Sequence, residues 1–539
     1  MRSVKMDGNW KTRIKKGWID GRSAAEEKQL LLLCFAAVFG FGLAAHAYGF
    51  LNASFSHDML NALVADHVET YWKMQLGRPG IVLYRRIFRG VIAAPWQLGL
   101  LSLLWLSLSC FVTTKLFRIK NRFFPVLLAG ILAVNISTVA MTATYLYEMD
   151  ADLFAVLRGV CAVFLWDRYG WTGALLGAVP AAFCMGTYQS MISVPITLSM
   201  LLCVTALLRG EKSGPVFRKG LRALVMLGLG VLLWWLGIRL MCSMKDINLA
   251  MDGYNSVDQA VSASVFERIG HVYRTWAWAF WNPKKAHIES IVLVLNCLLA
   301  IPAIWRILLW LGKGKTGGKE KLLLCVLLLL LPVGMNTAQL SFSRDVHDLM
   351  KYSFWLFYVL CLLPPFLDPA EGDRLSNSMK CIAAVLMLTL LCSNIQTANI
   401  VYTKKDLEQD AAQSLMTRVL YRLEEQEDYV PGETKLVFAG VSALLGEKIP
   451  GFEAYYDITG CEESSPIVKA TASYNYNAYA AFFRYCLNSP AVMADWELWN
   501  QLQDDPRVQE MPAYPTEGCM QKLDGIMLVK MGEREGYTG

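Results

Sequence analysis

The sequence lacks the motifs of a soluble nucleotide-dependent enzyme. It contains no P-loop and no glycine-rich turn of the Rossmann type, so it gives no sign of a nucleotide-binding site. Its 14 cysteines include no C-x-x-C pair, which argues against a structural zinc site. Charged residues make up only 18% of the chain, below the roughly 25% of ordinary soluble domains. A soluble, nucleotide-binding class is therefore disfavoured.

The chain is rich in long apolar segments. Hydrophobic residues form 55% of its 539 residues and the mean hydropathy is +0.35, values typical of a polytopic membrane protein. A membrane-spanning helix needs roughly 20 mostly apolar residues. We therefore predict an all-α membrane domain over residues 29–400 with about 11 transmembrane helices. The predicted spans lie at about 29–51, 94–114, 124–143, 152–167, 171–187, 190–208, 223–243, 287–311, 322–336, 350–367 and 380–400.

The charge is divided unequally along the chain. Residues 401–539 contain 12 Lys and Arg against 22 Asp and Glu, whereas the rest of the chain carries a net charge of +16. Its basic clusters lie in the N-terminal segment 1–28 and near 115–122, 209–222 and 313–321. The positive-inside rule assigns these clusters to the cytoplasm, and an odd number of spans then places the C-terminal part outside. No nucleic-acid partner is expected, because no recognition motif accompanies the basic charge.

The C-terminal part is predicted to be a small extracytoplasmic α/β domain over residues 401–539. Apolar residues at helical spacing predict an amphipathic helix over about 404–428, namely Leu407, Ala411, Leu415, Val419 and Leu423. The segments "KLVFAG" and "GIMLVKM" are typical of β-strands.

The connections that face outward in this topology include 52–93, 144–151, 244–286 and 337–349. The first predicts two surface helices joined by a tight turn at Gly77-Arg78-Pro79-Gly80, with His57 and Asp58 near its start. The third contains "HVYRTWAWAFW", whose aromatic content indicates a helix at the membrane interface.

The second outer connection contains three acids within five residues, Glu148, Asp150 and Asp152. One acid could simply cap the helix that follows. Three acids, with Tyr145 and Tyr147 beside them, exceed that need, because a buried unpaired carboxylate is costly at a membrane boundary. Both interpretations stay open at this point: a helix cap, or one wall of a polar site.

Further polar groups follow other spans. Tyr188 and Gln189 lie in "MGTYQS", and Arg344, Asp345 and Lys351 lie in "SFSRDVHDLMKYSF". The second group could anchor a helix end by ion pairing, or it could hold a phosphate, for which Arg and Lys supply fixed positive charge. Acids opposite cations suit a group transfer, in which one carboxylate accepts a proton from a hydroxyl and the cations stabilise a departing phosphate.

The order of these segments resembles the bacterial membrane glucosyltransferases of the O-antigen-modifying Gtr (type II) family, within the GT-C class. The motifs that carry the resemblance are "SFSHD" after the first span, "GRPG", "TATYLYEMDADLFA", "GTYQS", and "NIVYTKKDLEQDAAQSLMTRVLYRLE" leading into "KLVFAG". The resemblance covers nearly the whole chain.

The resemblance implies a GT-C-like enzyme of the bacterial inner membrane. Its donor would be a sugar, glucose by family, on a polyprenyl phosphate, and its acceptor a hydroxyl of a surface glycopolymer. Asp58 matches the usual catalytic base, and Asp150 and Asp152 match a second acidic pair. The expected substrate-binding residues are His57, Arg78, Glu148, Tyr188, Gln189, Arg344, Asp345 and Lys351. The resemblance leaves open whether a divalent metal takes part.

Two other functions are compatible with the composition. A transporter or flippase of lipid-linked sugars would place ionisable groups near the middle of its spans. Arg158 and Arg239 fall within predicted spans, but from near a span end each could extend its charge to the interface. A scaffold of an envelope complex would use the C-terminal domain to bind proteins. The density of polar residues in the outer connections favours the enzyme.

Overall fold

A computed structural model describes the architecture over most of the chain. The described residues are 22–52, 55–56, 59–60, 66–90, 92–249, 264–282, 290–312, 317–341, 345–367, 374–440, 442, 448–458 and 472–533. Helices account for most of them, and a small β-sheet lies near the C-terminus.

The α-helices are, in chain order, α1 (Ala24–Leu51), α2 (Asp66–Gln75), α3 (Pro79–Phe88), α4 (Pro95–Phe117), α5 (Phe123–Ala133), α6 (Ile136–Thr144), α7 (Leu146–Thr187), α8 (Ser193–Leu208), α9 (Ser213–Lys245), α10 (Val265–Trp281), α11 (Ser290–Gly312), α12 (Gly318–Met335), α13 (Leu356–Phe366), α14 (Arg374–Glu424), α15 (Ala472–Ala481), α16 (Trp496–Gln503) and α17 (Pro506–Gln509). Short 3₁₀ helices cover Gln189–Ile192, Thr337–Ser341, Asp348–Trp355 and Glu453–Asp457, and a π-helical turn covers Phe482–Cys486.

Within the described residues, seven helices are long and apolar enough to cross a membrane, or eight if the bent pair α5–α6 forms one span. This confirms a helical membrane protein. The total of about 11 spans and their orientation stay predictions. Two predicted spans, 152–167 and 171–187, both fall in α7. That helix has a kink at Gly170, where the backbone is not helical (φ 62°, ψ −125°). Glycine adopts this conformation without a steric penalty.

The predicted span 124–143 is broken in its middle. Helices α5 and α6 meet at an angle of 42°, and Asn135 caps α6 by accepting a hydrogen bond from the Thr138 amide. Two carbonyls freed at the end of α5 have side-chain donors, since Tyr352 Oη donates to Leu132 and His46 Nε2 lies 2.8 Å from the oxygen of Ala133. Such pairing is what allows a helix to break inside an apolar bundle.

The two ends of the helical bundle carry different groups. At one end Lys115 pairs with Glu27 at 2.5 Å, and Asp167 pairs with Arg118 and Lys219. These residues belong to or adjoin the basic connections that the sequence assigns to the cytoplasm. Helices α2 and α3, the start of α7 and the turn Gln189–Ile192 meet at the opposite end. The candidate site residues on these described elements therefore lie away from the basic connections.

The C-terminal part forms its own apolar core around a four-stranded sheet. The strands β1 (Lys435–Ala439), β2 (Val492–Met493), β3 (Met520–Leu523) and β4 (Ile526–Lys530) have the order β2-β1-β4-β3, parallel except for the β3–β4 hairpin. Strands β1 and β4 lie in the two segments predicted from sequence. A turn at Asp524-Gly525, both with positive φ, closes the hairpin.

Helix α14 joins this domain to the membrane part. It runs unbroken for 51 residues, so the predicted last span and the predicted amphipathic helix are one element, and the predicted boundary near residue 401 falls inside it. Of the predicted apolar stripe, Leu415, Val419 and Leu423 are buried in the core of the sheet domain. Leu407 and Ala411 are exposed, which corrects the prediction for the first turns. The residues of α14 that belong to the core of the sheet domain begin at Leu415.

Candidate functional site

The two short helices α2 and α3 lie against the start of α7 and bring cations to its acids. Their connecting turn is fixed on both sides: Gln189 Nε2 donates to the Leu76 carbonyl at 2.6 Å and Trp234 Nε1 donates to the Gly77 carbonyl at 3.1 Å. A Cβ on Gly80 would lie 2.7 Å from the Gly186 carbonyl carbon, so only glycine allows this approach of α3 to the end of α7.

We name the resulting group the acid–cation cluster. It consists of Lys73, Arg78, Arg85, Arg89, Glu148, Asp150 and Asp152. The three acids lie in the first two turns of α7, and the four cations come from α2, α3 and the residues next to them.

Glu148 binds two cations. Its Oε1 lies 2.5 Å from Lys73 Nζ and 3.4 Å from Arg85 Nη2, and all three side chains are buried. Lys73 and Arg85 also lie over the ring of Tyr147, at 5.7 and 5.9 Å. Glu148 therefore ties both short helices to α7.

Asp150 is wholly enclosed and fully engaged. Arg89 donates to it from Nε at 2.7 Å and from Nη2 at 3.2 Å, and Tyr84 Oη donates to it at 3.0 Å. Trp105 Nε1 in turn donates to Tyr84 Oη at 2.9 Å. A carboxylate held by three donors is a structural anchor, because most of its acceptor sites are already occupied.

Asp152 differs from its two neighbours. It is only 3% exposed, and its Oδ1 has no hydrogen-bond partner among the described residues. The electrostatic field that acts on it comes from Glu148, Arg78, Lys73 and Asp150. A buried carboxylate oxygen without a donor costs free energy unless a ligand supplies one, which makes Asp152 the acid of the cluster suited to bind a hydroxyl.

The helix-cap interpretation of these acids is wrong. Helix α7 begins at Leu146 with Tyr145 at its N-cap position, so Asp150 and Asp152 lie inside the helix and their side chains cap nothing.

Arg78 is the half-buried cation of the cluster. Its Nε donates to Gln189 Oε1 at 3.0 Å, and its guanidinium lies 4.5 Å from the ring centroid of Tyr188. Within the described part of the chain it forms no ion pair with a carboxylate. The structure thus joins three predicted residues, Arg78, Tyr188 and Gln189, and leaves charge on Arg78 for a ligand.

The remaining predicted residues fall into two groups. Asp345 lies 2.7 Å from His271 Nε2 on α10, and Lys351 lies 2.8 Å from Asp348 on its own 3₁₀ helix. Neither of these two ion pairs involves a member of the acid–cation cluster. His57, Asp58 and Arg344 lie outside the described residues. Near the first two, Ser56 Oγ donates to the Thr144 carbonyl at 2.6 Å.

Sequence reasoning missed four residues of this site: Lys73, Tyr84, Arg85 and Arg89. The sequence did contain a signal for the cations, because the basic residues of connection 52–93 and the acids of connection 144–151 are both assigned to the outer end of the bundle. The spacing of Arg85 and Arg89, four residues apart, also places them on one face of α3.

A metal site is not evident in the described part of the chain, where no three His, Cys, Asp or Glu side chains lie close enough together to hold an ion.

Comparison with known families identifies the chain. No curated protein and no solved structure matches it. A sequence model of one family, described as glucosyl transferase GtrII, matches residues 47–364. The matched region is more than half of the chain and includes the whole acid–cation cluster. The chain therefore belongs to the GtrII glucosyltransferase family and is a glycosyltransferase of the membrane.

Proposed function

We propose that this protein transfers glucose from a polyprenyl-phosphate donor to a hydroxyl of a cell-envelope glycopolymer, on the extracytoplasmic face of the bacterial inner membrane. The family match supports glucosyl transfer. The donor class follows from the resemblance and from the absence of a nucleotide-binding motif in the sequence.

The observation that carries the proposal is that an acid without a hydrogen-bond donor and a cation without a carboxylate partner both lie at one end of the bundle. Asp152 Oδ1 has no donor in the described structure, and Arg78 has no carboxylate partner there. A sugar phosphate supplies both missing groups, since its hydroxyls donate to a carboxylate and its phosphate oxygens accept from a guanidinium.

In the proposed reaction the acceptor oxygen attacks C1 of the glucose while the bond from C1 to the phosphate oxygen breaks. The phosphate leaves with the bonding electron pair, and its charge is stabilised by Arg78, with Lys73 close by. A carboxylate takes the proton of the acceptor hydroxyl. Asp58 is the proposed base by resemblance, Asp152 holds a hydroxyl in the site, and Asp150 acts through Arg89 as a positioning residue.

The proposed orientation uses the two ends of the bundle. The basic connections collect at the end where Glu27, Lys115 and Asp167 lie, and the positive-inside rule assigns that end to the cytoplasm. The acid–cation cluster then faces outward, as does the C-terminal domain. The start of connection 52–93 contacts α14 and the last residue of α6, since the Phe55 amide donates to Gln409 Oε1 and Ser56 Oγ donates to the Thr144 carbonyl.

The test is transfer in reconstituted vesicles supplied with radiolabelled polyprenyl-phosphate-glucose and a crude envelope acceptor. Wild type should move label into polymer, while Asp152→Asn and Asp58→Asn should lower the rate at least about a hundredfold. Asp167→Asn is the control, because it removes an ion-paired acid at the opposite end of the bundle.

Two results would contradict the proposal. Full activity of Asp152→Asn would show that the unpaired oxygen of Asp152 is not needed for transfer. Vesicles that move labelled lipid between leaflets without transferring glucose would favour the flippase instead.

A further inference from the structure

A wide apolar groove lies between α8, α9 and α12, apart from the acid–cation cluster. Its volume is about 430 Å³, within the range of cavities that hold organic ligands. Its lining is apolar except for Ser199 and Thr337, and it includes no charged side chain. Phe217, Leu224 and Leu330 line it and are 64%, 67% and 46% exposed, so the groove opens on the outer surface of the bundle, toward the lipid.

One end of the groove adjoins the candidate site. Thr337 begins the 3₁₀ helix Thr337–Ser341, which packs against the turn Gln189–Ile192. Gln189 in that turn is the hydrogen-bond partner of Arg78. A molecule that lies in the groove with a polar head at the Thr337 end therefore places that head near the cluster.

The groove is longer than one leaflet of a bilayer is thick. It follows α12 from Leu323 to Thr337, and a helix rises 1.5 Å per residue, so it is about 20 Å long. One leaflet contributes about half of the 30 Å hydrocarbon core. The groove is thus longer than the half of the hydrocarbon core that one leaflet supplies, and a polyprenyl chain can follow its whole length.

We propose that this groove holds the isoprenoid tail of the donor. The inference rests on the proposed function, which supplies a polyprenyl-phosphate substrate. Two observations favour this occupant over a bilayer phospholipid: a groove longer than one leaflet, and its continuity with the turn in which Gln189 binds the half-buried Arg78.

Gly220 offers a clean way to block the groove. It lies on α9 in the groove wall near the end away from Thr337, and a Cβ added there meets no atom within 4 Å. A side chain added there therefore meets no clash at its Cβ, and we expect Gly220→Leu to occupy part of the groove. Gly228→Leu is the matched control, because Gly228 lies on the same helix, has the same free space and does not line the groove.

The experiment measures binding of two probes, undecaprenyl phosphate and farnesyl phosphate, to the purified full-length protein. Gly220→Leu should weaken binding of undecaprenyl phosphate about tenfold, because part of a long tail loses its apolar contacts. The short farnesyl tail does not reach Gly220, so its binding should stay the same. Gly228→Leu should match wild type with both probes.

Each other result has a definite meaning. Equal binding of undecaprenyl phosphate by the two leucine variants would overturn the groove inference while leaving the proposed function intact. Failure of wild type to bind undecaprenyl phosphate at all would overturn both.

A second measurement avoids any dependence on folding of the variants. A photoreactive undecaprenyl phosphate should label α8, α9 and α12 of wild type. Equal labelling of those helices by a photoreactive phospholipid, undiminished by competing undecaprenyl phosphate, would identify an ordinary lipid site and overturn the inference.

Discussion

Lys73 on α2 and Glu148 on α7 form a buried ion pair, with Nζ and Oε1 2.5 Å apart and side chains only 6% and 7% exposed. Arg85 on α3 reaches the same carboxylate at 3.4 Å. One acid thus holds both short helices on the membrane bundle. The geometry of the neighbouring Arg78 depends on this attachment, because Arg78 lies in the turn between the two helices.

Removing Lys73 should therefore destabilise the protein. Lys73→Met leaves a buried carboxylate with one partner fewer, and breaking a buried pair costs about 3 kcal/mol. The free energy of unfolding, measured in detergent by heating or by added denaturant, gives the loss of stability. Lys435→Met is the control, because Lys435 and Asp495 form an exposed pair whose loss should cost less than about 1 kcal/mol. Similar losses for the two variants would show that Glu148 does not anchor the helices.

The two aspartates of α7 should separate stability from transfer. Asp152→Asn keeps the shape of the side chain and removes a buried carboxyl group whose Oδ1 has no donor in the described structure, so it should preserve or raise the melting temperature while transfer falls at least about a hundredfold. Asp150→Asn disrupts a carboxylate held by Arg89 and Tyr84, so it should lower the melting temperature.

Melting curves and transfer rates measured on the same preparations test this contrast. The outcome that would refute it is a destabilised Asp152→Asn beside a stable Asp150→Asn, since the roles assigned to the two acids would then be reversed.

Part of this arrangement was predictable from sequence, because it depends on local signals. The glycines and proline of Gly77-Arg78-Pro79-Gly80 predict the turn between α2 and α3, and that turn is present. Three acids in five residues exceed the needs of a helix cap, and the structure places Glu148, Asp150 and Asp152 with cations. Strands β1 and β4 lie where apolar β-branched runs predict them.

The rest depends on packing between distant segments. Nothing local to Asp150 shows that Arg89 takes its oxygens while Asp152 keeps one free, since this follows from how α3 lies on α7. The unbroken α14 was also missed, because the charged residues Lys404 and Lys405 resemble the end of a span. In the structure Lys404 pairs with Glu408 and Lys405 donates to the Ala143 carbonyl, so the helix continues.

Gly80 should tolerate no side chain. In Gly80→Ala the new Cβ would lie 2.7 Å from the Gly186 carbonyl carbon, which is backbone and cannot turn aside, so α3 must move away from α7. A displacement of about 1 Å at a site costs up to a hundredfold in rate, and we expect a loss of at least tenfold in transfer. Gly228→Ala is the control, because its Cβ meets nothing within 4 Å. Wild-type transfer by Gly80→Ala would show that the close approach does not set the site.

Arg78 should not be replaceable by lysine, although the charge is kept. The guanidinium does two things at once: Nε donates to Gln189 at 3.0 Å, and its plane lies 4.5 Å from the Tyr188 ring, which leaves its outer nitrogens for a phosphate. An ammonium cannot reproduce this fork. Arg78→Lys should therefore raise the KM for the lipid-linked donor about tenfold or more, while the melting temperature changes little because Arg78 is only half-buried. Arg86→Lys is the matched control, since Arg86 lies on α3 and is exposed. Steady-state kinetics with the labelled donor decide the matter, and an unchanged KM in Arg78→Lys would assign the phosphate to another cation of the cluster.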